Sequence, residues 1–243
     1  VRRRIQVVAH RGASAVAREN SPAAAEAAIA AGADAIEMDA RLSADGVAHV
    51  AHDPDLGRIA GIAGEIARLT SAEIAAHLAP DGGAWVPPLS DLLAAVAGRR
   101  PVVIDVKLQG RSVLEAIAAA VPPGMAAELV IGVRALDDVA AARALLPQAA
   151  ILGFLPDPDA AAALAAAGGR IIRLWEPDAT DARVAAGHAA GLQVWVTAGR
   201  SKGTGDELVG AITADRLRRV AALGIDGILV NDPAAAIAVL QEG

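Results

Sequence analysis

The sequence predicts an α/β protein built as a single (β/α)8 TIM barrel, with a β-hairpin extension after the second strand. Three observations carry that expectation. Short β-branched runs alternate with Ala/Leu-rich stretches, the pattern of βα units around a parallel sheet. The length of 243 residues suits one barrel domain spanning the whole chain, since such barrels take about 250 residues. Acidic and imidazole side chains recur at the ends of the β-type runs, where barrel chemistry resides.

Strands are expected at Ile5–His10, Ala35–Leu42, Val47–His52, Val102–Lys107, Leu129–Val133, Ile151–Leu155, Ile171–Trp175, Gln193–Thr197 and Gly227–Asn231. These are nine runs, one more than a barrel needs. Only Ser43-Ala44-Asp45-Gly46 separates the second from the third, too short for a parallel crossover. Asp45-Gly46 is a turn signal, so the two runs should form an antiparallel hairpin. With an even-length loop, Leu42 lies opposite Val47 and Glu37 opposite His52, which puts His52 on the face of Glu37 and Asp39. An odd loop reverses that face. Gly82–Pro88 reads as a loop into a helix over Ser90–Ala97 with Ser90 as N-cap, and Gly199–Gly205 as a mobile loop on the barrel rim.

Composition narrows the function. The chain is 54% hydrophobic but only 2% aromatic, so its core must be packed from Ala, Val, Ile and Leu. The run Ala160–Ala167 is an ordinary helix, alanine being the strongest helix former. A net charge of −6 argues against a nucleic-acid partner, which needs a basic face. With no cysteine there is no disulfide framework and no thiolate chemistry. Arg2, Arg3 and Arg4 precede an apolar stretch too short for a signal peptide, and no run approaches the ~18 apolar residues of a membrane span. A cytoplasmic protein without membrane insertion is expected; the oligomeric state is open.

Glu37 and Asp39 are two apart on one strand face, and Asp105 sits near the end of the next barrel strand. Carboxylates aimed into an apolar barrel mouth are costly unless a cation neutralises them. Oxygen ligands without cysteine suit a divalent metal, Mg²⁺ or Ca²⁺. The plainer reading, a solvated or salt-bridged face, stands beside it. His10 and His52 end their strands and titrate near neutrality, so one can accept a proton while the other gives one up. His49 should face away from His52, and His77 and His188 fall in helices. Arg11 and Lys107 bring cations to the same mouth, as phosphate partners or, for Lys107, as an internal partner of Asp105. Trp195 and Trp175 end strands, as pocket walls or as packing.

The segments AHRGASAVAREN and GADAIEMDARLSADGVAHVAHDPDLGR resemble the N-terminal signature of the glycerophosphodiester phosphodiesterase family. That signature runs His-Arg-Gly, Glu-Asn-Thr, Glu-x-Asp, Asp-Gly and His-Asp, with Ser21 here in place of Thr. VIDVK and GIDGILVNDP resemble its later strands. The resemblance implies a (β/α)8 barrel, a Mg²⁺ or Ca²⁺ cofactor, and hydrolysis of a small phosphodiester to glycerol 3-phosphate and an alcohol. It implies His10 and His52 as the acid–base pair, Glu37 and Asp39 as metal ligands, and Arg11 and Lys107 on the phosphate. Glu19 would lie near the metal or the glycerol hydroxyls. Attack by the glycerol 2-hydroxyl and direct attack by water are both open.

Three departures bear on substrate choice. The third metal ligand, usually Glu, is Asp105, and the resulting Asp-x-Lys also resembles the spider-venom sphingomyelinase D group. Gly132-Val133-Arg134 replaces a Ser-Phe strand end. Trp195-Val196-Thr197-Ala198 replaces Trp-Thr-Val-Asn. Lysophospholipids, sugar phosphodiesters, or a phosphorylated ligand bound without turnover are the competing expectations.

Overall fold

The computed structural model describes residues 4–79, 82–83 and 85–242. The start of the basic N-terminal run and Ala84, within the loop expected at Gly82–Pro88, lie outside them. The strands are β1 (Gln6–Ala9), β2 (Ala35–Leu42), β3 (Ala48–Val50), β4 (Val102–Val106), β5 (Leu129–Val133), β6 (Ala150–Gly153), β7 (Ile171–Trp175), β8 (Gln193–Thr197) and β9 (Gly227–Val230). All but β3 run parallel in the order β1-β2-β4-β5-β6-β7-β8-β9. Pairing of β9 with β1 closes the ring. The helices are α1 (Pro22–Ala30), α2 (Gly57–Ala60), α3 (Ser71–Ala75), α4 (Leu89–Val96), α5 (Arg111–Ala120), α6 (Asp137–Leu145), α7 (Ala161–Ala167), α8 (Asp181–Ala189), α9 (Ala214–Ala222) and α10 (Pro233–Gln241). The result is the (β/α)8 barrel that the alternation of runs predicts.

Two apolar layers hold the fold. Outward side chains such as Ile36, Met38, Ile104, Ile131, Val194 and Ile228 pack against Leu92, Leu93, Ile117, Leu164 and Leu217 of the helices. Inward ones, Val8, Ala35, Val103, Leu152, Phe154, Ile171, Trp195 and Leu229, fill the barrel. Strand alternation therefore gives a dry, packed interior under a polar mouth at the C-terminal ends. Truncating a residue such as Leu93 would cost about 2–5 kcal/mol. No helix among the described residues is long and apolar enough to cross a membrane.

Several expectations are corrected. The hairpin pairs Ala40 with Val50 and Leu42 with Ala48, not Leu42 with Val47. Ser43 N donates to Val47 O at 3.0 Å, so the loop proper is Ala44-Asp45-Gly46. Gly46 takes φ 80°, the left-handed position that closes a three-residue hairpin loop. Helix α4 begins at Leu89 after Pro88, and Ser90 does not cap it. His77 lies just beyond α3 rather than within a helix. The Gly199–Gly205 loop leads into a 3-10 turn at Gly205–Glu207, held by Gly199 N on Glu176 Oε2 at 2.8 Å.

Candidate active site

The residues after β1 set the geometry. Arg11 adopts φ 55° and Gly12 φ 79°, a sharp left-handed turn that costs about 1–2 kcal/mol at a residue with a Cβ. It is held from both sides. Arg11 N donates to Glu37 Oε2 at 2.7 Å, and Gly12 N to Glu37 O at 3.1 Å. A Cβ on Gly12 would meet the Ala24 backbone at 2.7 Å, which accounts for glycine in His-Arg-Gly. Asn20, also left-handed at φ 55°, donates Nδ2 to Asp39 Oδ2 at 2.8 Å and accepts Asp39 N at 3.2 Å. Ser21 then caps α1.

Alternation along β2 and β4 turns Glu37, Asp39 and Asp105 inward, all three buried. Their carboxylate oxygens lie within 4.8 Å of one another. Burial, then repulsion from Asp39 and Asp105, pushes the Glu37 carboxyl well above its usual range. Burial opposes ionisation of Asp39 too, but Lys107 and then Arg11 outweigh it and hold that carboxyl far down. Asp39 Oδ1 lies 2.6 Å from Lys107 Nζ. Three buried carboxylates at this spacing, all hard oxygen donors, are what a divalent cation relieves, so the triad is compatible with such a metal.

The acids also belong to a row of ion pairs. Asp53 pairs with Arg58, whose fork grips Glu19 at 2.5 and 3.1 Å. Glu19 meets Arg11 at 3.1 Å, and Arg11 meets Asp39 at 3.3 Å. Lys107 bridges Asp39 at 2.6 Å and Asp105 at 2.5 Å, and Arg134 closes the row on Asp105 at 2.6 Å. Lys107 keeps its proton because Asp39 and Asp105 outweigh its burial. Removing one member of a buried pair commonly costs about 3–5 kcal/mol.

Both expected imidazoles are oriented through Nδ1. His10 Nδ1 lies 2.7 Å from Asn231 Oδ1, and Asn231 Nδ2 donates to Val209 O at 2.8 Å. That second bond fixes which end of the amide faces the ring, so Nδ1 carries hydrogen and Nε2 is free. Burial first, then Arg11, lowers the His10 pKa to about 4. His52 Nδ1 is 2.7 Å from Asp53 Oδ1. Burial lowers its pKa against the pull of Asp39. Fields from Arg11, Asp39 and Lys107 act on both rings.

The pairing that was to bring His52 to the Glu37 face does not operate. Asp39 O accepts Ala51 N at 3.2 Å, so the observed register would set His52 opposite Met38. The chain has left the β3 ladder by then, and Arg41 Nε holds the His52 carbonyl at 2.8 Å. His49 faces away from the mouth, buried between Val86 O at 3.0 Å and Ser71 Oγ at 2.9 Å. His188 bonds Asp226 at 2.9 Å. Trp195 is not brought to the mouth. It is buried in the barrel interior with Nε1 donating to Gln193 Oε1 at 3.1 Å, toward the start of its strand.

Residue-by-residue reading missed several members. Asn231, Asp53, Asn20 and Arg58 orient or neutralise the others. The signals were present: Asp53 directly follows His52, and Asn231 directly follows β9, the neighbour of β1. Arg134 entered only as a departure, and Arg173 not at all, although an arginine inside IIRLW is conspicuous. A cleft of about 630 Å³ beside Arg4, Ile5, Arg218 and Leu240 lies at the opposite end of the barrel and shares none of these residues.

Eight parallel strands around a filled interior, with two oriented imidazoles and a carboxylate triad at their C-terminal mouth, define a barrel enzyme. The chain belongs to the glycerophosphoryl diester phosphodiesterase family, whose model matches residues 10–235. A Bacillus altitudinis glycerophosphodiester phosphodiesterase is 33% identical over 110 residues, spanning 43% of this chain and 45% of that protein. A glycerophosphodiester phosphodiesterase structure from Agrobacterium tumefaciens is 26% identical, with TM-score 0.76, covering 96% of this chain and 99% of the other. An Oleispira antarctica phosphodiesterase in complex with the product sn-glycerol-3-phosphate shares the fold, with TM-score 0.81 and 20% identity over 97% of this chain and 96% of that one.

Proposed function

We propose that this chain, as one barrel domain, hydrolyses glycerophosphodiesters to glycerol 3-phosphate and an alcohol with a divalent metal, using His10 and His52 as proton acceptor and donor. The observation that carries the reading is the pair of imidazoles, each oriented through Nδ1 by a different side chain beside the same acidic and basic groups.

Glu37, Asp39 and Asp105 would hold Mg²⁺ or Ca²⁺, which when bound offsets negative charge on the phosphate oxygens. Arg11 and Lys107 add fixed positive charge beside them. Neutral His10 presents a free Nε2 to a hydroxyl that attacks phosphorus. Asp53 supports the charged form of His52, from which a proton passes to the departing alkoxide. Glu19, locked between Arg11 and Arg58, acts on the site by positioning Arg11.

The test is release of glycerol 3-phosphate from glycerophosphocholine and glycerophosphoethanolamine by the purified chain, with Mg²⁺, Ca²⁺ or EDTA. Activity should vanish with EDTA. His10→Ala and His52→Ala should each lower turnover by roughly a hundredfold or more. Full activity of His52→Ala, or indifference to EDTA, overturns the mechanism.

A further inference from the structure

On the β5–β7 side of the mouth stands an arginine held between aromatic rings. Arg173 faces inward on β7, two residues before Trp175, and is only 5% exposed. Its guanidinium lies 4.2 Å from the Trp175 ring centroid and 5.3 Å from that of Phe154. It forms no hydrogen bond or ion pair among the described residues, and its buried Nε is unsatisfied. Arg134 reaches the same Phe154 ring at 5.7 Å, and its Nε is likewise buried and unsatisfied. Burial lowers the Arg173 pKa only to about 10, so it stays cationic at neutral pH.

The surroundings are built for this arrangement. A Cβ at position 132 would meet the Phe154 ring at 2.3 Å, so Gly132 is what admits the ring beneath the two arginines. Stacking between aromatic faces holds a guanidinium in place while leaving its N–H fork free. The other buried cations of the mouth are already bonded: Arg11 to Glu19 and Lys107 to Asp39 and Asp105, and Arg134 itself is bonded through Nη2 to Asp105. A buried guanidinium Nε without an acceptor is costly in the free protein and is relieved by an oxyanion.

We propose that Arg173, with Arg134 beside it, forms a subsite for a second anionic group on the substrate, a carboxylate or phosphate carried by the alcohol half of the diester. This rests on the phosphodiesterase reading above. The preferred substrates then bear two negative groups, the scissile diester and a headgroup anion.

Two substrates that differ by one carboxylate, glycerophosphoserine and glycerophosphoethanolamine, test it, with glycerophosphoinositol and its ring monophosphate as the phosphate arm. kcat/KM should favour the anionic member of one pair or both. In Arg173→Met that preference ratio should fall by about tenfold or more, as for a lost charge-assisted hydrogen bond, and Arg173→Lys should restore part of it. Isothermal titration of the same compounds separates the two ideas. If no diester is hydrolysed but the anionic ones bind more tightly in an Arg173-dependent way, the subsite stands and the hydrolase reading fails. Hydrolysis with no preference for either anionic member, or a ratio unchanged in folded Arg173→Met, overturns the subsite. Circular dichroism verifies folding, and Arg173→Lys serves as the second variant should Arg173→Met not fold.

Discussion

Asn231, just past the last strand, holds the ring of His10, just past the first, at 2.7 Å, and is itself anchored to Val209 O at 2.8 Å. The turn after the last barrel strand thereby decides which nitrogen of His10 is available. Asn231→Leu keeps the volume but removes the acceptor. It should lower kcat about 10–100-fold, the range for loss of an orienting partner, with a smaller change in KM. A rise in KM alone would show that Asn231 serves binding rather than orientation.

Gly210 closes over that pair with φ 81°. A Cβ there would lie 2.0 Å from Asn231 Oδ1 and 2.8 Å from His10 Nδ1. Gly210→Ala should therefore lower activity at least as far as Asn231→Leu. The left-handed backbone adds a destabilisation of roughly 1–2 kcal/mol, read as a lower midpoint in urea. Wild-type turnover in this variant would place the loop elsewhere in solution.

Arg134 contacts both oxygens of Asp105, at 2.9 and 2.6 Å, and so would compete with a divalent cation held by that carboxylate. Arg134→Ser should tighten Mg²⁺ or Ca²⁺ binding by about tenfold, a modest share of the Coulomb energy between neighbouring charges. Titration calorimetry of the metal alone measures it. Weaker binding in the variant would mean that Arg134 positions Asp105 for the metal.

His49 gives a pH dependence of stability. Burial first, opposed by its bond to Val86 O, lowers its pKa below the ordinary 6.5. The folded state thus prefers the neutral ring. That contribution is complete above pH ~6.5 and is lost as pH falls toward the lowered value. Urea midpoints should drop between pH 7.5 and 5.5, and drop less in His49→Asn. Equal pH dependence in the two proteins would assign the effect to other groups.

Strands were legible because apolar β-branched runs bounded by turn residues leave little choice; β2, β5, β7 and β8 fall where the pattern puts them. The hairpin register was not, because it turns on Gly46 closing a three-residue loop, which Asp45-Gly46 does not distinguish from a two-residue one. In the mouth, Glu37, Asp39, Asp105, Arg11 and Lys107 declared themselves by strand position. Asn231 and Arg58 act from segments remote in sequence, so only the closed barrel reveals their partners. Trp195 misled because a tryptophan at a strand end fits a pocket wall and a barrel filling equally well. Only the pairing of Trp195 with Gly227, which leaves room for the indole, separates the two.

Closure of β9 onto β1 has a consequence for biogenesis. A nascent chain made as far as β8 already contains both imidazoles, all three carboxylates and every cation of the mouth. It lacks Asn231, and it lacks Val230, whose carbonyl receives His10 N at 2.9 Å. The ring of His10 gains its orientation only when the final strand docks. An incomplete barrel thus carries the imidazole of its first strand without the anchor that its last strand supplies.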